Sequence, residues 1–296
     1  MTIKHLVLSG GGYNGIDMIG MLLQLESGNF ILKENIKSVY GVSAGSMALA
    51  IWLLGIESDV LKNYIIKRPW KKIFNLNSDS FFELIDEKGL LDNKLFVEIF
   101  TPLLKYKKLG IKTTLKEFYE FTKVDFYIFG TKLNNWESIK LSHHTHPDIT
   151  LIDAVSISSS LPLIFKPMYY VDDYLIDGGL SKRYPVKTAF EDGCKINEIL
   201  GINIRRKEAV EVKKDCSFSQ YYIGMLHNII NKVSNDYIKL TYEINHFCGG
   251  MFSNIEDVLN KEETRQKMIE YGEKSALIFL NSLKEDSSEG SIEEFT

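Results

Sequence analysis

The sequence predicts an α/β fold in which a central sheet carries helices on both faces. Two observations predict it. Short β-rich apolar runs alternate with longer amphipathic runs along most of the chain. In one such pair, a Gly-x-Ser-x-Gly sequence joins the β-rich run to the helical run. No internal repeat or Pro-rich linker divides the 296 residues, so we expect a single domain over residues 1–285.

The first elements surround two glycine-containing loops. HLVLS (residues 5–9) is typical of a buried strand, and an amphipathic helix is predicted over residues 13–25. IKSVYGV (residues 36–42) is the second strand, followed by the helical run AGSMALAIWLLGI. Further strands are predicted at VDFYIFGTKL, SIKLSH, DYLIDGG and NEILGINI, and further helices at LLDNKLFVEIFTPLLKY, TLKEFYEFT, LIDAVSISSS and PVKTAFEDG.

The part after the last predicted strand differs in pattern. Residues 217–285 are predicted to be helical, with long helical runs over residues 218–247 and 261–283. The acidic, Ser-rich residues 286–296 are expected to form a disordered tail.

Composition excludes several classes of protein. A formal charge of −4 and a pI near 5.9 give no net positive field, so we expect no nucleic-acid partner. The apolar part of MTIKHLVLS is too short for a secretory signal, and the longest apolar run, residues 47–56, is too short to span a bilayer. The three cysteines have no metal-type spacing, and their odd number favours a reducing compartment, so we expect a cytoplasmic protein.

The segment VYGVSAGS contains Gly-x-Ser-x-Gly between a predicted strand and a predicted helix. This is the sequence form of a nucleophile elbow, a strained turn that presents a serine hydroxyl, and it makes Ser43 the candidate nucleophile. A serine hydroxyl needs a base to accept its proton.

A second glycine-rich stretch, SGGGYNG, follows the first strand. The pattern could bind a dinucleotide, but the second strand ends at Ser43 rather than at the acidic residue that binds a ribose. A phosphate-binding P-loop would need Lys and Ser or Thr after Gly15, where the chain has Ile16 and Asp17. The remaining use of these backbone N–H groups is to stabilise an oxyanion.

The base could be a histidine or a carboxylate. His5 begins a strand, and the histidines of SHHTHPD are typical of a solvated loop, with an incidental metal site or a substrate contact as the alternatives. A Ser-Asp-His triad would need His227 or His246, both within the predicted C-terminal helices. Asp177, in YLIDGGLSKRYPV, ends a predicted strand before two glycines that allow close backbone approach, although an isolated Asp-Gly-Gly is usually a turn.

Three motifs in one order carry a resemblance. SGGGYNG, GVSAG and DGG, together with SISSSLPLIFKP and RYPV, make residues 4–204 similar to the patatin-like phospholipases. The resemblance implies a three-layer α/β/α patatin-like fold with a central, mostly parallel sheet. By position, it implies a catalytic dyad of Ser43 and Asp177 without a histidine.

The resemblance also assigns the glycines. It implies an oxyanion hole formed by the glycine-rich loop at Gly10, Gly11 and Gly12. It requires no metal and no cofactor. The remaining motif glycines are Gly15, Gly41, Gly45, Gly178 and Gly179.

The implied activity is hydrolysis of fatty acyl esters of phospholipids, with peripheral membrane contact and an unidentified protein activator as open questions. A short-chain esterase or a triacylglycerol lipase would use the same dyad. Two departures matter: Ser9 stands where the family usually has Asp, and Asn14 stands where it usually has Arg or Lys. Asn14 leaves open a catalytically weak or inactive module that binds lipid or protein, and GGGYNG leaves open a nucleotide-binding protein.

One further segment bears on substrate access. YIIKRPWKKIF (residues 64–74) combines cationic and aromatic side chains, which suits an anionic lipid surface. The alternative, which we favour, is a surface turn whose aromatic side chains pack inward.

Overall fold

The computed structural model describes residues 2–74, 88–206, 211–233, 238–248 and 255–289. The strands are β1 His5–Leu8, β2 Ser38–Val42, β3 Gly89–Leu91, β4 Asp125–Lys132, β5 Ser138–Leu141, β6 Leu163–Phe165, β7 Met168–Tyr170, β8 Asp173–Asp177, β9 Ile199–Arg206 and β10 Tyr242–Cys248. The helices are α1 Gly15–Ser27, α2 Ala44–Leu53, α3 Ser58–Lys67, α4 Trp70–Ile73, α5 Lys94–Tyr106, α6 Leu115–Thr122, α7 Leu151–Ser158, α8 Val186–Glu191, α9 Phe218–Lys232, α10 Ile255–Asn260 and α11 Glu262–Glu289.

The main sheet has eight strands and is mostly parallel. Its order is β10-β9-β1-β2-β4-β8-β7, and β5 also pairs with β4. The strands from β10 to β4 run parallel to one another, whereas β5, β7 and β8 pair in antiparallel fashion. The carboxyl ends of β1, β2 and β9 therefore meet at one edge, where the loops of a parallel sheet usually form its site.

Both faces of this sheet are covered. Along β1, Leu6 and Leu8 belong to one apolar cluster, which also contains residues of α1 and α2. Val7, between them, belongs to a second cluster on the opposite face, together with Val186 and Ala189 of α8. Because side chains alternate across a strand, this division places helices above and below the sheet. The predicted three-layer α/β/α architecture is confirmed.

Most predicted elements are present near their predicted positions, but the C-terminal part contains a strand. The predicted helix over residues 218–247 ends at Lys232, residues 234–237 lie outside the described residues, and β10 follows. In β10 burial alternates, with Ile244 and His246 buried and Asn245 exposed between them, which is the period of a strand. His246 is therefore on a sheet and not on a helix.

Three short strands also differ from the prediction. Gly89–Leu91 overlaps the start of a predicted helix but pairs with Leu163–Phe165 in a separate two-stranded sheet. Met168–Tyr170 pairs with β8 and adds an edge strand to the main sheet. Three-residue strands are too short for a periodic signal. At the other end, α11 continues to Glu289, so the first residues of the predicted tail are helical, and residues 290–296 lie outside the described part. No helix among the described residues is long and apolar enough to cross a membrane.

The crossing of α1 and α11 depends on two glycines. A Cβ atom on Gly20 would lie 2.3 Å from the carbonyl oxygen of Ile269, and one on Gly272 would lie 2.0 Å from that of Asp17. The two helix backbones are thus in direct contact, and neither position has room for a side chain. This contact fixes α11 against the helix that follows the glycine-rich loop.

We expect Gly272→Ala to lower the free energy of unfolding by roughly 1–3 kcal/mol, the usual cost of overpacking. The loss should occur even though alanine favours a helix over glycine by about 1 kcal/mol. Urea denaturation measures it. Gly110→Ala is the matched control, because a Cβ there meets no atom closer than 3.9 Å. Equal stability of the two variants would contradict the close helix crossing.

Candidate active site

Ser43 lies in a strained turn between β2 and α2. Its φ is 50°, in the left-handed region that non-glycine residues rarely adopt, and its side chain is largely buried. The flanking glycines make the turn possible: a Cβ on Gly41 would lie 2.7 Å from Ser46 Cα, and one on Gly45 would lie 2.5 Å from the carbonyl oxygen of Ser9. The motif glycines are therefore required by packing against the neighbouring backbone.

Asp177 ends β8, two strands away from Ser43. Val42 pairs with Phe129 of β4, and the next residue of β4, Gly130, pairs with Asp177. This register places Ser43 and Asp177 at the same level on either side of β4. The Ser43 hydroxyl donates a hydrogen bond of 2.8 Å to Asp177 Oδ2. The structure thus brings together the two residues that the sequence motifs singled out.

The carboxylate of Asp177 is held from several sides. Its Oδ1 accepts a hydrogen bond of 2.7 Å from the N–H of Gly179, and the Thr131 hydroxyl donates one of 2.8 Å to its backbone carbonyl. Gly178 must lack a side chain, because a Cβ there would lie 2.1 Å from the carbonyl oxygen of Phe129. The Asp-Gly-Gly sequence is therefore more than a turn.

Burial changes the acidity of Asp177. The residue is only 2% exposed, and this burial raises the pKa of its carboxyl to about 7, against the opposing effects of the Gly179 N–H, the Ser43 hydroxyl and the Arg206 charge. A carboxylate with that pKa is a far stronger proton acceptor than an exposed aspartate near 3.9.

Ser158 is a member of the site that the sequence analysis did not assign. Its hydroxyl accepts a hydrogen bond of 2.8 Å from the N–H of Ser43 and donates one of 2.6 Å to the carbonyl of Phe129. It therefore ties the elbow to β4. Ser158 lies in SISSSLPLIFKP, so the motif contained the signal, but only the fold shows which of its serines reaches the elbow.

The glycine-rich loop lies beside Ser43, and its three glycines differ. The N–H of Gly10 donates to the carbonyl of Arg183 at 3.0 Å, so this group is already used. In the described part of the chain, no acceptor is present for the N–H groups of Gly11 and Gly12. Gly12 has a φ of 59° and lines the same cavity as Ser43. Of the three predicted donors, Gly11 and Gly12 have N–H groups free to serve an oxyanion.

The two residues that depart from the family pattern have defined partners. The buried hydroxyl of Ser9 accepts the N–H of Ile204 at 2.9 Å and donates to the carbonyl of Gly10 at 3.1 Å, which anchors the loop to β9. The amide of Asn14 donates to Asp17 Oδ2 at 3.0 Å. Neither residue brings a positive charge to the loop.

An apolar cavity of about 210 Å³ opens beside the nucleophile. Ser43 and Gly12 lie at its polar end, and aliphatic and aromatic side chains form the rest of its wall. These include Ile16, Ile19, Met47, Ile51, Leu95, Phe96, Ile99, Leu161 and Phe165. Such a lining suits a hydrocarbon chain whose reactive end lies at the serine.

The aromatic residues of YIIKRPWKKIF pack inward. Tyr64, Trp70 and Phe74 line the cavity, and the Trp70 indole N–H donates to the carbonyl of Ile65 at 2.7 Å. Arg68 lies over the rings of Tyr64 and Trp70, at 5.0 and 5.6 Å from their centroids. The aromatic side chains therefore pack inward, as the favoured interpretation predicted, but the segment consists of the end of α3 and the short helix α4 rather than a turn.

Among the described residues, no histidine is a hydrogen-bond partner of the Ser43 or Asp177 side chain. His246 Nε2 lies 3.2 Å from Asp17 Oδ2, and His5 Nδ1 lies 2.7 Å from Ser38 Oγ. His143 and His144 of SHHTHPD lie 3.6 and 3.3 Å from Asp125. Asp125 begins β4, whereas the dyad lies level with Gly130, near the other end of that strand. His227 is buried within α9.

The chain is similar to known proteins in sequence and in fold. The chain matches the model of the Patatin-like phospholipase family over residues 6–190. It is 25% identical to "Probable lipid hydrolase 463L" of Invertebrate iridescent virus 6 over 66% of each protein. It is also 27% identical to "Uncharacterized protein R571" of Acanthamoeba polyphaga mimivirus, over 88% of this chain and 89% of that protein. Among solved structures, VipD from Legionella pneumophila superposes with a TM-score of 0.53 at 16% identity, covering 95% of this chain and 67% of VipD. The VipD likeness supports the fold alone.

We expect Asp177→Asn to remove a pH-dependent cost in stability. The pKa of Asp177 is about 7 in the folded chain, above its ordinary value of 3.8, so folding favours the protonated carboxyl. Its ionisation therefore lowers wild-type stability as the pH rises from about 4 to about 7, and between pH 5 and pH 8 the loss is on the order of 3 kcal/mol. Asp177→Asn should lack this loss.

Urea denaturation of both proteins at pH 5 and pH 8 measures the difference. The stability of the variant relative to the wild type should increase with pH. A difference that stays constant with pH would show that burial does not raise the pKa of Asp177.

Proposed function

The chain belongs to the patatin-like phospholipase family, whose members hydrolyse lipid esters, and from this premise we propose that it is a serine acyl hydrolase that cleaves fatty acyl esters of phospholipids. The observation that carries the proposal is the 2.8 Å hydrogen bond from the Ser43 hydroxyl to the buried carboxylate of Asp177. A nucleophile and a base at hydrogen-bonding distance are the minimum for covalent acyl transfer.

The first half of the reaction forms an acyl-enzyme. Asp177 accepts the proton of Ser43 while Ser43 Oγ attacks the ester carbonyl carbon, and the carbonyl oxygen becomes an oxyanion. We propose that the N–H groups of Gly11 and Gly12 stabilise this charge, and the positive end of the α2 dipole lies beside the nucleophile. Collapse of the intermediate breaks the ester bond, and the alcohol leaves with the proton from Asp177.

The second half releases the fatty acid. A water molecule gives a proton to Asp177 and attacks the acyl carbon. The second oxyanion then collapses, the bond to Ser43 Oγ breaks, and the proton returns to the serine. Asp177 thus acts as base and acid in turn, which its pKa of about 7 suits near neutral pH.

The cavity supports a fatty acyl substrate. Its wall is mostly apolar, and the aromatic side chains of α3 and α4 form part of it. Burial of an acyl chain there would contribute about 0.8 kcal/mol for each methylene. The exposed Lys71 and Lys72 of α4 lie next to this wall, and we propose that they meet the anionic lipid surface from which the substrate comes.

Asn14 supports a second candidate, a module that binds lipid or protein without turnover. The loop lacks the cation that the family usually has there, although the dyad and the backbone donors are complete. Covalent labelling by a fluorophosphonate probe separates the two candidates, because labelling needs an activated serine.

We expect Ser43→Ala to abolish both labelling and hydrolysis of phospholipid vesicles while leaving the circular dichroism spectrum unchanged. Ser46→Ala is the matched control: it lies in the same turn, and its hydroxyl only donates to the carbonyl of Ser43 at 2.7 Å. It should keep both activities. An inactive Ser46→Ala beside an active Ser43→Ala would refute the elbow assignment.

We expect Asp177→Asn to reduce turnover by a factor on the order of 10²–10⁴, because the amide keeps the size of the side chain but cannot accept the proton. The Michaelis constant should change much less. His227→Gln, a buried substitution outside the site, controls for nonspecific effects and should keep most activity if folded. If His227→Gln were folded but inactive while Asp177→Asn stayed active, the result would favour a Ser-Asp-His triad over the dyad.

A further inference from the structure

A second group of polar side chains is buried beneath the glycine-rich loop, away from the dyad. Asp17 of α1 and His246 of β10 are each 2% exposed, and Cys248 of β10 lies next to them. Asp17 Oδ2 lies 3.2 Å from His246 Nε2 and 3.7 Å from Cys248 Sγ. The three potential ligand atoms all lie within 4.8 Å of one another.

The second ring nitrogen of His246 also has a polar neighbour. The Ser275 hydroxyl lies 3.0 Å from the carbonyl of Tyr271 and 2.9 Å from His246 Nδ1. When the hydroxyl donates to that carbonyl, it accepts the proton of Nδ1. In this tautomer of the neutral ring the lone pair of Nε2 points at the carboxylate of Asp17, an arrangement that requires a cation or a proton between the two atoms.

Two further atoms of the group lack partners. Asp17 Oδ1 and Asn14 Oδ1 are buried and have no hydrogen-bond partner among the described residues. Leaving buried oxygens unpaired is costly, and few native polar groups do so. The Asp17 carboxylate, which also lies within ligand distance of an imidazole nitrogen and a sulfur, therefore has an oxygen that no protein group satisfies.

The distances match a tetrahedral zinc site. With zinc–nitrogen and zinc–oxygen bonds of about 2.0–2.2 Å and zinc–sulfur bonds of about 2.3 Å, adjacent ligands are separated by roughly 3.3–3.7 Å. The observed separations are 3.2 Å for oxygen to nitrogen and 3.7 Å for sulfur to oxygen. The geometry points to a structural Zn²⁺ site formed by Asp17, His246 and Cys248, with a water molecule as fourth ligand.

The ligand types and the second shell support zinc. A mixed set of thiolate, imidazole and carboxylate suits Zn²⁺ better than Mg²⁺ or Ca²⁺, which prefer oxygen. Nδ1 of His246 lies 2.9 Å from the Ser275 hydroxyl. With zinc on Nε2, Nδ1 would donate to this hydroxyl, as the second nitrogen of a zinc-bound histidine usually does to a neighbouring acceptor. On binding, zinc replaces the proton of the Cys248 thiol, which is released to solvent.

The site would connect the oxyanion loop to the sheet edge. Asn14 and Asp17 lie where the glycine-rich loop enters α1, whereas His246 and Cys248 lie on the edge strand of the main sheet. Zinc would hold these two elements together without touching Ser43 or Asp177. The site therefore goes beyond the proposed hydrolase reaction, which uses no metal ligand.

The test is metal binding by the full chain. Purified protein, stripped with a chelator and then loaded with Zn²⁺ and desalted, should retain one zinc per chain by elemental analysis. Loading with Co²⁺ should give a thiolate-to-cobalt charge-transfer band. Cys248→Ser should remove this band and weaken zinc binding by more than the ~10–100-fold that loss of a second-shell partner costs. Zinc should raise the melting temperature of the wild type but not that of Cys248→Ser.

Two controls separate this site from others. Cys216→Ser removes a cysteine outside the group and should keep both the zinc and the cobalt band. His144→Gln disrupts the more exposed group of Asp125, His143 and His144, and should also keep one zinc. The inference would be overturned if the wild type bound no stoichiometric zinc and gave no cobalt band. It would also be overturned if Cys248→Ser bound zinc as the wild type does. Fluorophosphonate labelling of Ser43 reports the hydrolase proposal independently.

Discussion

The hydrogen bond between Ser43 and Asp177 is the interaction on which the site depends, and it spans three strands of one sheet. Ser43 follows β2, Asp177 ends β8, and β4 lies between them with Gly130 at their level. The bond therefore requires the correct register on both sides of β4. A shift of one residue in the β4–β8 pairing would turn the Asp177 side chain to the other face, and a shift in the β2–β4 pairing would move Ser43 away from its level.

Close backbone contact makes this register possible. Gly41 and Gly45 allow the elbow to pack against Ser46 and Ser9. Gly178 allows the chain after Asp177 to lie directly against the backbone of Phe129 in β4. Ser158 then joins the backbone N–H of Ser43 to the carbonyl of Phe129. Strain at Ser43 is tolerated because these contacts hold its neighbours on every side.

Burial serves chemistry at the expense of stability. Enclosing Asp177 raises its pKa to about 7, which would suit the proposed role as base, but ionisation is then unfavourable in the folded chain at a pH below this value. The same apolar surroundings provide the cavity in which an acyl chain would lie next to the nucleophile. Active sites often retain such unfavourable groups because function requires them.

The sequence alone was sufficient for the fold class and for the two residues of the candidate dyad. Alternating apolar runs predicted the layered α/β fold, since periodicity is a local property. The ordered motifs singled out Ser43, Asp177 and the glycines, because a strained turn and close backbone contacts demand particular residue types in a short stretch of chain.

Contacts between distant segments were decided by the tertiary structure. These include the placement of β10 as a strand, the use of the Gly10 N–H by Arg183, the role of Ser158, and the group formed by Asp17, His246 and Cys248. The sequence determined which groups could perform the chemistry. Only the folded chain determined their partners, burial and acidity, because these depend on residues more than a hundred positions apart.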